Sequence, residues 1–196
     1  MRYLGGEKET EPGVQFNMSG MSLIHVESIE FCGVEGIRHI PDYFLMILQS
    51  LKTIDLTPFR SVTTVGQCFM RGCCAITTFD LGPLSNVTTV GDYFLSNCIS
   101  LSSIDFVPFA NVTSLGDSFM AHCSSLSSID LSPLSNITAI GTKFMYECSQ
   151  LTQVDPSPLV KLITVADIKT FMAKSKALTP AKRRKFEQMV ENSRRR

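Results

Sequence analysis

The chain of 196 residues has no net formal charge: 18 Lys and Arg are matched by 18 Asp and Glu. Taken as a sum, this excludes a polyanionic partner held by bulk attraction. It also lacks any apolar run near the ~20 residues that span a bilayer. The first residues, with Glu7, Lys8, Glu9 and Glu11 and no apolar stretch, do not read as a secretory signal. The expectation is therefore an intracellular protein, cytoplasmic or nuclear. Without an export route, the seven cysteines, an odd number, read as reduced thiols rather than a disulfide framework. Histidine is scarce, and His25, His39 and His122 occupy unrelated positions. His122 precedes Cys123, but neighbours on a helical turn point apart, so they do not make a nucleophilic pair. No Gly-rich phosphate loop, HExxH or GxSxG motif occurs, and Cys68, Cys73 and Cys74 lack zinc-site spacing. The sequence thus offers no catalytic residue, no metal site and no cofactor.

What is present is repetition. Leu51, Ile76, Leu101, Leu126 and Leu151 each open a unit of 25 residues, with no insertion or deletion between them. Four units are clean, and a fifth stops matching after Ala166. A degenerate unit precedes them, with Ile29, Glu30, Phe31, Ile37, Ile40, Phe44 and Leu45 in register with Ile54, Asp55, Leu56, Val62, Val65, Phe69 and Met70. In L-x-x-I-D-L, apolar residues alternate in and out, which predicts a short strand. Pro58, Pro83, Pro108 and Pro133 end it, because proline cannot donate to a ladder. N-V-T-x-V/I follows, a second strand or extended arc with Val87 and Val90 inward. Gly66, Gly91, Gly116 and Gly141 are read as turn residues. In x-x-F-L/M-x-x-C, Phe and Cys lie four apart, which predicts one face of a single helical turn. A coil of this kind cannot bury its apolar edge alone, so coils stack at about 4.8 Å into a parallel sheet and a continuous core.

L-x-x-I-D-L fits the leucine-rich repeat L-x-x-L-x-L, and a period of 25 lies within that family's range. With V-x-x-V/I-G-x-x-F-L-x-x-C, the chain resembles the BspA-like subclass over residues 26–166. The resemblance implies a right-handed solenoid with its parallel sheet on a concave face. It implies macromolecular binding and no catalytic residues. Better-known leucine-rich repeats carry an Asn or Cys ladder where this chain has x-P-L. The expected domains are an irregular N-terminal segment or degenerate cap at 1–25, the solenoid at 26–166, and a helical cap with a basic tail at 167–196.

Several columns carry candidate chemistry. Cys73, Cys98, Cys123 and Cys148 form one per coil. Leu48 and Ala173 share that register, so the column reads as buried apolar filling rather than a metal or disulfide ladder. Asp55, Asp80, Asp105, Asp130 and Asp155 align, and Glu30 extends them to six. Stacked like charges repel. Either each Asp caps the turn at x-Pro through its own backbone, or the column is an acidic stripe for a basic peptide or a cation. Thr53, Thr78, Ser103 and Ser128 beside it, with Lys52, Thr77, Ser102 and Ser127, make a smooth hydroxyl-lined surface for a protein partner. Asn86, Asn111 and Asn136 start N-V/I-T sequons, which read as turn residues of the repeat. Glycan there would instead mark a cell-surface or adhesion antigen.

The neutral total also hides a division. Residues 1–158 hold 7 basic and 15 acidic side chains, and residues 159–196 hold 11 and 3, a balance of −8 against +8. Ile168, Phe171 and Met172 predict a short amphipathic helix over 166–174 that covers the end of the core. Thr179 and Pro180 read as N-cap and first residue of a second helix over 181–193, with Phe186, Met189 and Val190 on one side. Lys182, Arg183, Arg184 and Lys185, then Arg194, Arg195 and Arg196, make the tail basic. The tail is open to several readings: a solvated cap, a protein or nucleic-acid contact, or a nuclear-import signal. A further one is docking on the acidic column, of its own chain or of a second copy in a self-associated form.

Overall fold

The computed structural model describes residues 2–4, 25–32, 34, 36–162 and 179–195. The described residues between 25 and 162 wind into stacked coils. Strand β1 (Arg2–Leu4) pairs with β2 (Ser28–Cys32), which pairs with β4 (Thr53–Ile54), all parallel. A second parallel sheet joins β3 (His39–Ile40), β5 (Thr64–Val65), β6 (Thr89–Val90), β7 (Ser114–Leu115) and β8 (Ala139–Ile140) in chain order. Its register advances by 25 at every rung, from His39 opposite Thr64 to Leu115 opposite Ile140. The parallel solenoid expected from the repeat is present.

The continuous ladder, however, lies in the T-x-V segment and not in L-x-x-I-D-L. β-Branched Thr and Val favour extended backbone, with Val65, Val90 and Leu115 buried on one side. Just before these strands Thr63, Thr88, Thr113 and Thr138 each donate a hydroxyl to the carbonyl one coil earlier, at 3.1–3.3 Å. L-x-x-I-D-L contributes β2, β4 and an isolated bridge from Ser128 to Gln153. There Asp bends the chain after two residues of strand.

Beyond that bend, each x-Pro segment forms a 3₁₀ turn: Thr57–Phe59, Gly82–Leu84, Val107–Asn111, Ser132–Asn136 and Ser157–Leu159. Proline suits the first turn of such a helix because its missing N–H has no partner there anyway. Phe59, Leu84, Phe109, Leu134 and Leu159 turn into the core from these segments.

The F-L/M-x-x-C segment corrects a second expectation. It is a zigzag with every other residue at positive φ, rather than a right-handed helical turn: Tyr93 (59°), Leu95 (52°) and Asn97 (62°) in one coil, Ser118, Met120 and His122 in the next. Non-glycine residues pay about 1–2 kcal/mol each for that conformation. The alternation turns successive N–H groups toward opposite neighbours. Tyr93 and Asn97 donate forward to the carbonyls of Asp117 and Ala121, while Leu95 donates back to Phe69. Inter-coil hydrogen bonds worth about 1 kcal/mol each thus offset the backbone cost.

Phe and Cys still both face inward, as their spacing indicated. Phe44, Phe69, Phe94, Phe119 and Phe144 stack down the axis with centroids 5.2–6.2 Å apart. The single described C-terminal helix, α1 (Pro180–Arg194), has Thr179 as N-cap and buries Phe186 and Val190 in the same core. The helix expected over 166–174 lies outside the described residues.

Candidate functional site

The exposed aspartates resolve the first alternative posed by their alignment. Asp55 Oδ1 accepts the N–H of Thr57 at 2.8 Å, and Asp80, Asp105, Asp130 and Asp155 accept those of Gly82, Val107, Ser132 and Ser157 at 2.7–2.9 Å. One bond, repeated five times, opens each 3₁₀ turn. Asp130 and Asp155 also take the hydroxyls of Ser132 and Ser157 on Oδ2, at 2.9 and 2.7 Å. The Thr57 hydroxyl and N–H hold the Asp55 carboxyl below its usual range, and the Ser132 N–H and hydroxyl do the same for Asp130.

Stacked carboxylates at this spacing repel, but water and salt screen exposed charges, and the hydrogen bond each accepts favours its charged form. Asp80 and Asp105 use Oδ1 in this way, and positions 82 and 107, Gly and Val, offer Oδ2 no hydroxyl. Thr53, Thr78, Ser103 and Ser128 are exposed two residues before their Asp, as is Glu30 at its place in β2. In the adjacent column Ser102 and Thr152 donate hydroxyls to Thr77 and Ser127 carbonyls. This surface brings together the acidic and hydroxyl residues singled out from the repeat.

Among the described residues, the basic tail meets the column at its last member, Asp155. A cleft of about 350 Å³ between α1 and the last coil is lined by Val154, Asp155, Pro156, Ser157, Lys182, Lys185, Phe186 and Met189. Asp155 is the one member of the column in that lining. Arg183, Arg184 and Arg195 do not line it, and the remaining tail side chains, Arg194 and Arg196, lie outside what the structure describes.

Two structural columns escaped the sequence reading. Asp42 Oδ1 accepts Gln67 N–H at 2.9 Å, Asp92 Oδ1 accepts Asp117 N–H at 2.7 Å, and Asp117 Oδ1 accepts Thr142 N–H at 2.6 Å, so carboxylates staple one coil to the next. The only signal was acid after Gly91 and Gly116, interrupted by Gln67 and Thr142. The second is an Asn ladder after all: Asn86, Asn111 and Asn136 donate Nδ2–H to the carbonyls of Arg60, Ser85 and Ala110, at 2.8–3.3 Å. The nitrogen a glycan would take is thus engaged in holding coils together.

The Cys column is a ladder too. Cys73, Cys98, Cys123 and Cys148 are buried, and each thiol donates to the carbonyl of Leu45, Met70, Leu95 or Met120 in the preceding coil, at 3.1–3.2 Å. The position therefore takes more than apolar filling. Burial pushes the Cys73 thiol up to about 12 and raises that of Cys98 further, while Cys123 is raised first by its bond to Cys148 and then by burial. Such thiols are poor nucleophiles and poor ligands at neutral pH. Among the described residues no group of three His, Cys, Asp or Glu is placed to hold a metal ion.

A repeat of 25 residues, three side-chain ladders and stacked parallel rungs are shared by whole families, and comparison decides among them. The model of the BspA type leucine rich repeat region matches residues 21–152 in six copies. The chain belongs to the BspA-type leucine-rich repeat family. The T. pallidum leucine-rich repeat protein superposes with a TM-score of 0.63 over 83% of each chain at 18% identity, a likeness of fold. A leucine-rich repeat protein from Bacteroides ovatus matches 76% of this chain and 42% of its own at 20% identity, with a TM-score of 0.48. No curated protein matches significantly. A BspA-type repeat is a module of the protein-interaction and surface-antigen kind. No helix among the described residues is long and apolar enough to cross a membrane.

Proposed function

We propose that this BspA-type chain is a non-enzymatic interaction module whose ligand is a basic segment of a protein partner, laid along the aspartate column. The observation that carries the reading is the column itself: five exposed carboxylates in consecutive coils, all held in one orientation by the same backbone bond. Preorganised acceptors spare a ligand the entropic cost of ordering them. Their repeat of about 4.8 Å is shorter than the 6.4–6.8 Å between same-side residues of an extended strand and close to one helical turn. A helix with Lys or Arg every three or four residues therefore fits the stripe better than a strand. The flanking hydroxyl columns allow its close approach.

Asp80→Asn combined with Asp105→Asn tests this. The amide keeps an oxygen for the Gly82 and Val107 N–H groups and loses only the charge. The expected result is unchanged melting and binding of a helical Lys-rich peptide weakened about tenfold, with a shallower dependence on salt. Unchanged affinity would show the column to serve the fold alone. Display at a cell surface would make the same module an adhesion antigen. Mass loss on glycosidase treatment of Asn86, Asn111 or Asn136 in native material would favour that setting.

A further inference from the structure

Four Ser/Thr-Pro pairs occur in the chain: Thr57-Pro58, Ser132-Pro133, Ser157-Pro158 and Thr179-Pro180. Two have a basic residue three positions after the hydroxyl, Arg60 after Thr57 and Lys182 after Thr179. Proline-directed protein kinases take such a hydroxyl from an extended segment, because the following proline offers no N–H and a flanking cation meets acidic groups on the kinase. By sequence Thr57 and Thr179 are equivalent.

The structure separates them. Thr57, Ser132 and Ser157 each sit inside a 3₁₀ turn, with the N–H tied to the aspartate two residues earlier. Their hydroxyls are engaged by the same carboxylates, Ser132 Oγ to Asp130 at 2.9 Å and Ser157 Oγ to Asp155 at 2.7 Å, and Thr57 to Asp55. A phosphate there would displace that bond and sit against a negative charge. Arg60 is also held back, donating to the Thr57 carbonyl at 3.2 Å. Thr179 differs. It is exposed, its backbone is extended (φ −56°, ψ 157°), and among the described residues its side chain makes one long bond, accepting Lys182 N–H at 3.4 Å. Its neighbours along the chain are cationic, with Lys174 and Lys176 before it and Lys182 to Lys185 after.

We propose that Thr179 is a phosphorylation site for a proline-directed protein kinase, and that the phosphate locks the first turn of α1. The inference does not depend on the aspartate column binding a partner. In the reaction Thr179 Oγ1 attacks the γ-phosphorus of a nucleoside triphosphate. An O–P bond forms, the bond to the β-phosphate oxygen breaks, the hydroxyl proton passes to the kinase base, and a nucleoside diphosphate leaves. The product places about two negative charges where a helix N-terminus presents free N–H groups and its positive end. Charge-assisted bonds then replace the single 3.4 Å contact.

The test uses the full chain, a proline-directed kinase and magnesium with a nucleoside triphosphate, read by intact mass and site mapping. One phosphate is expected, lost in Thr179→Ala and kept in Thr57→Ala. Hydrogen exchange at residues 182–185 should slow about two- to fivefold in the phosphorylated chain. Label that survives in Thr179→Ala at an equal rate, or a chain that takes no phosphate, would overturn the site. Unchanged exchange would overturn the lock.

Discussion

Replacing Gly91 with alanine tests what fixes the spacing of the coils. Gly91 has no positive φ, so its lack of a side chain is not used for a left-handed turn, as first expected of this column. A Cβ there would lie 2.7 Å from Gln67 N and 2.7 Å from Gly66 C, both backbone atoms of the preceding coil. Ordinary contact begins near 3.4 Å, so rungs would have to part by about 0.7 Å. Two backbone bonds span that gap: Gly91 N–H to Val65 O at 2.8 Å and Cys68 N–H to Asp92 O at 2.7 Å. Overpacking costs about 1–3 kcal/mol. Each backbone bond adds about 0.5–1.5 kcal/mol if lost. Gly91→Ala should therefore cost about 2–6 kcal/mol, a large share of the stability of an ordinary domain. Gly36→Ala is the control. Its φ is +88° and nothing lies within 4 Å of its Cβ position, so only about 1–2 kcal/mol of backbone strain applies. Urea unfolding followed by circular dichroism compares the two. A Gly91→Ala loss no larger than that of Gly36→Ala would refute the close-approach account.

Other expectations follow from the same geometry. Phe94→Ala removes the ring that meets Phe69, Phe109 and Phe119 and should cost about 3–5 kcal/mol by the same assay. The Asp55 and Asp130 carboxyls are held below their unfolded values, so their stabilisation is complete above the ordinary carboxylate range and disappears as pH falls through the folded values. Between pH 5 and pH 2 the wild-type urea midpoint should accordingly fall further than that of Asp55→Asn with Asp130→Asn, and parallel curves would disprove the linkage. With iodoacetamide at pH 8, half-buried Cys74 should be labelled in the native state while Cys73, Cys98 and Cys123 stay unmodified until denaturant is added, as mass mapping will read.

Period and polarity made the coil count, the inward columns and α1 with its Thr179 cap readable from sequence. Those features rest on side-chain burial and capping chemistry, which repeat visibly every 25 residues. The zigzag was not readable, because it is carried by backbone. Tyr, Leu, Met, His, Lys and Glu all occupy positive φ there, and none of them signals it. One clue existed: Gly72 (76°) and Asn97 share a register with Ile47, His122 and Glu147, and Gly and Asn are the residues that enter this region readily. The Asp42, Asp92 and Asp117 staple stayed hidden because Gln67 and Thr142 break the column. For the candidate site, alignment placed the acidic residues together, while their hydrogen bonds decided which aspartate oxygens remain for a ligand.

Every coil of this BspA-type chain asks the same thing of the coil on either side. Side chains and backbone reach across by 24 to 28 positions, in the zigzag, the Thr ladder, the Asn ladder and the Cys ladder alike. Copy number is therefore free while phase is not. A whole 25-residue unit duplicated after Ser100 meets neighbours in the same register as those it left, whereas a single inserted residue puts every downstream donor of that coil opposite the wrong acceptor. Such a gene can lengthen or shorten its product by unequal recombination between units without inventing a new interface, and each added unit lengthens the aspartate column by one carboxylate.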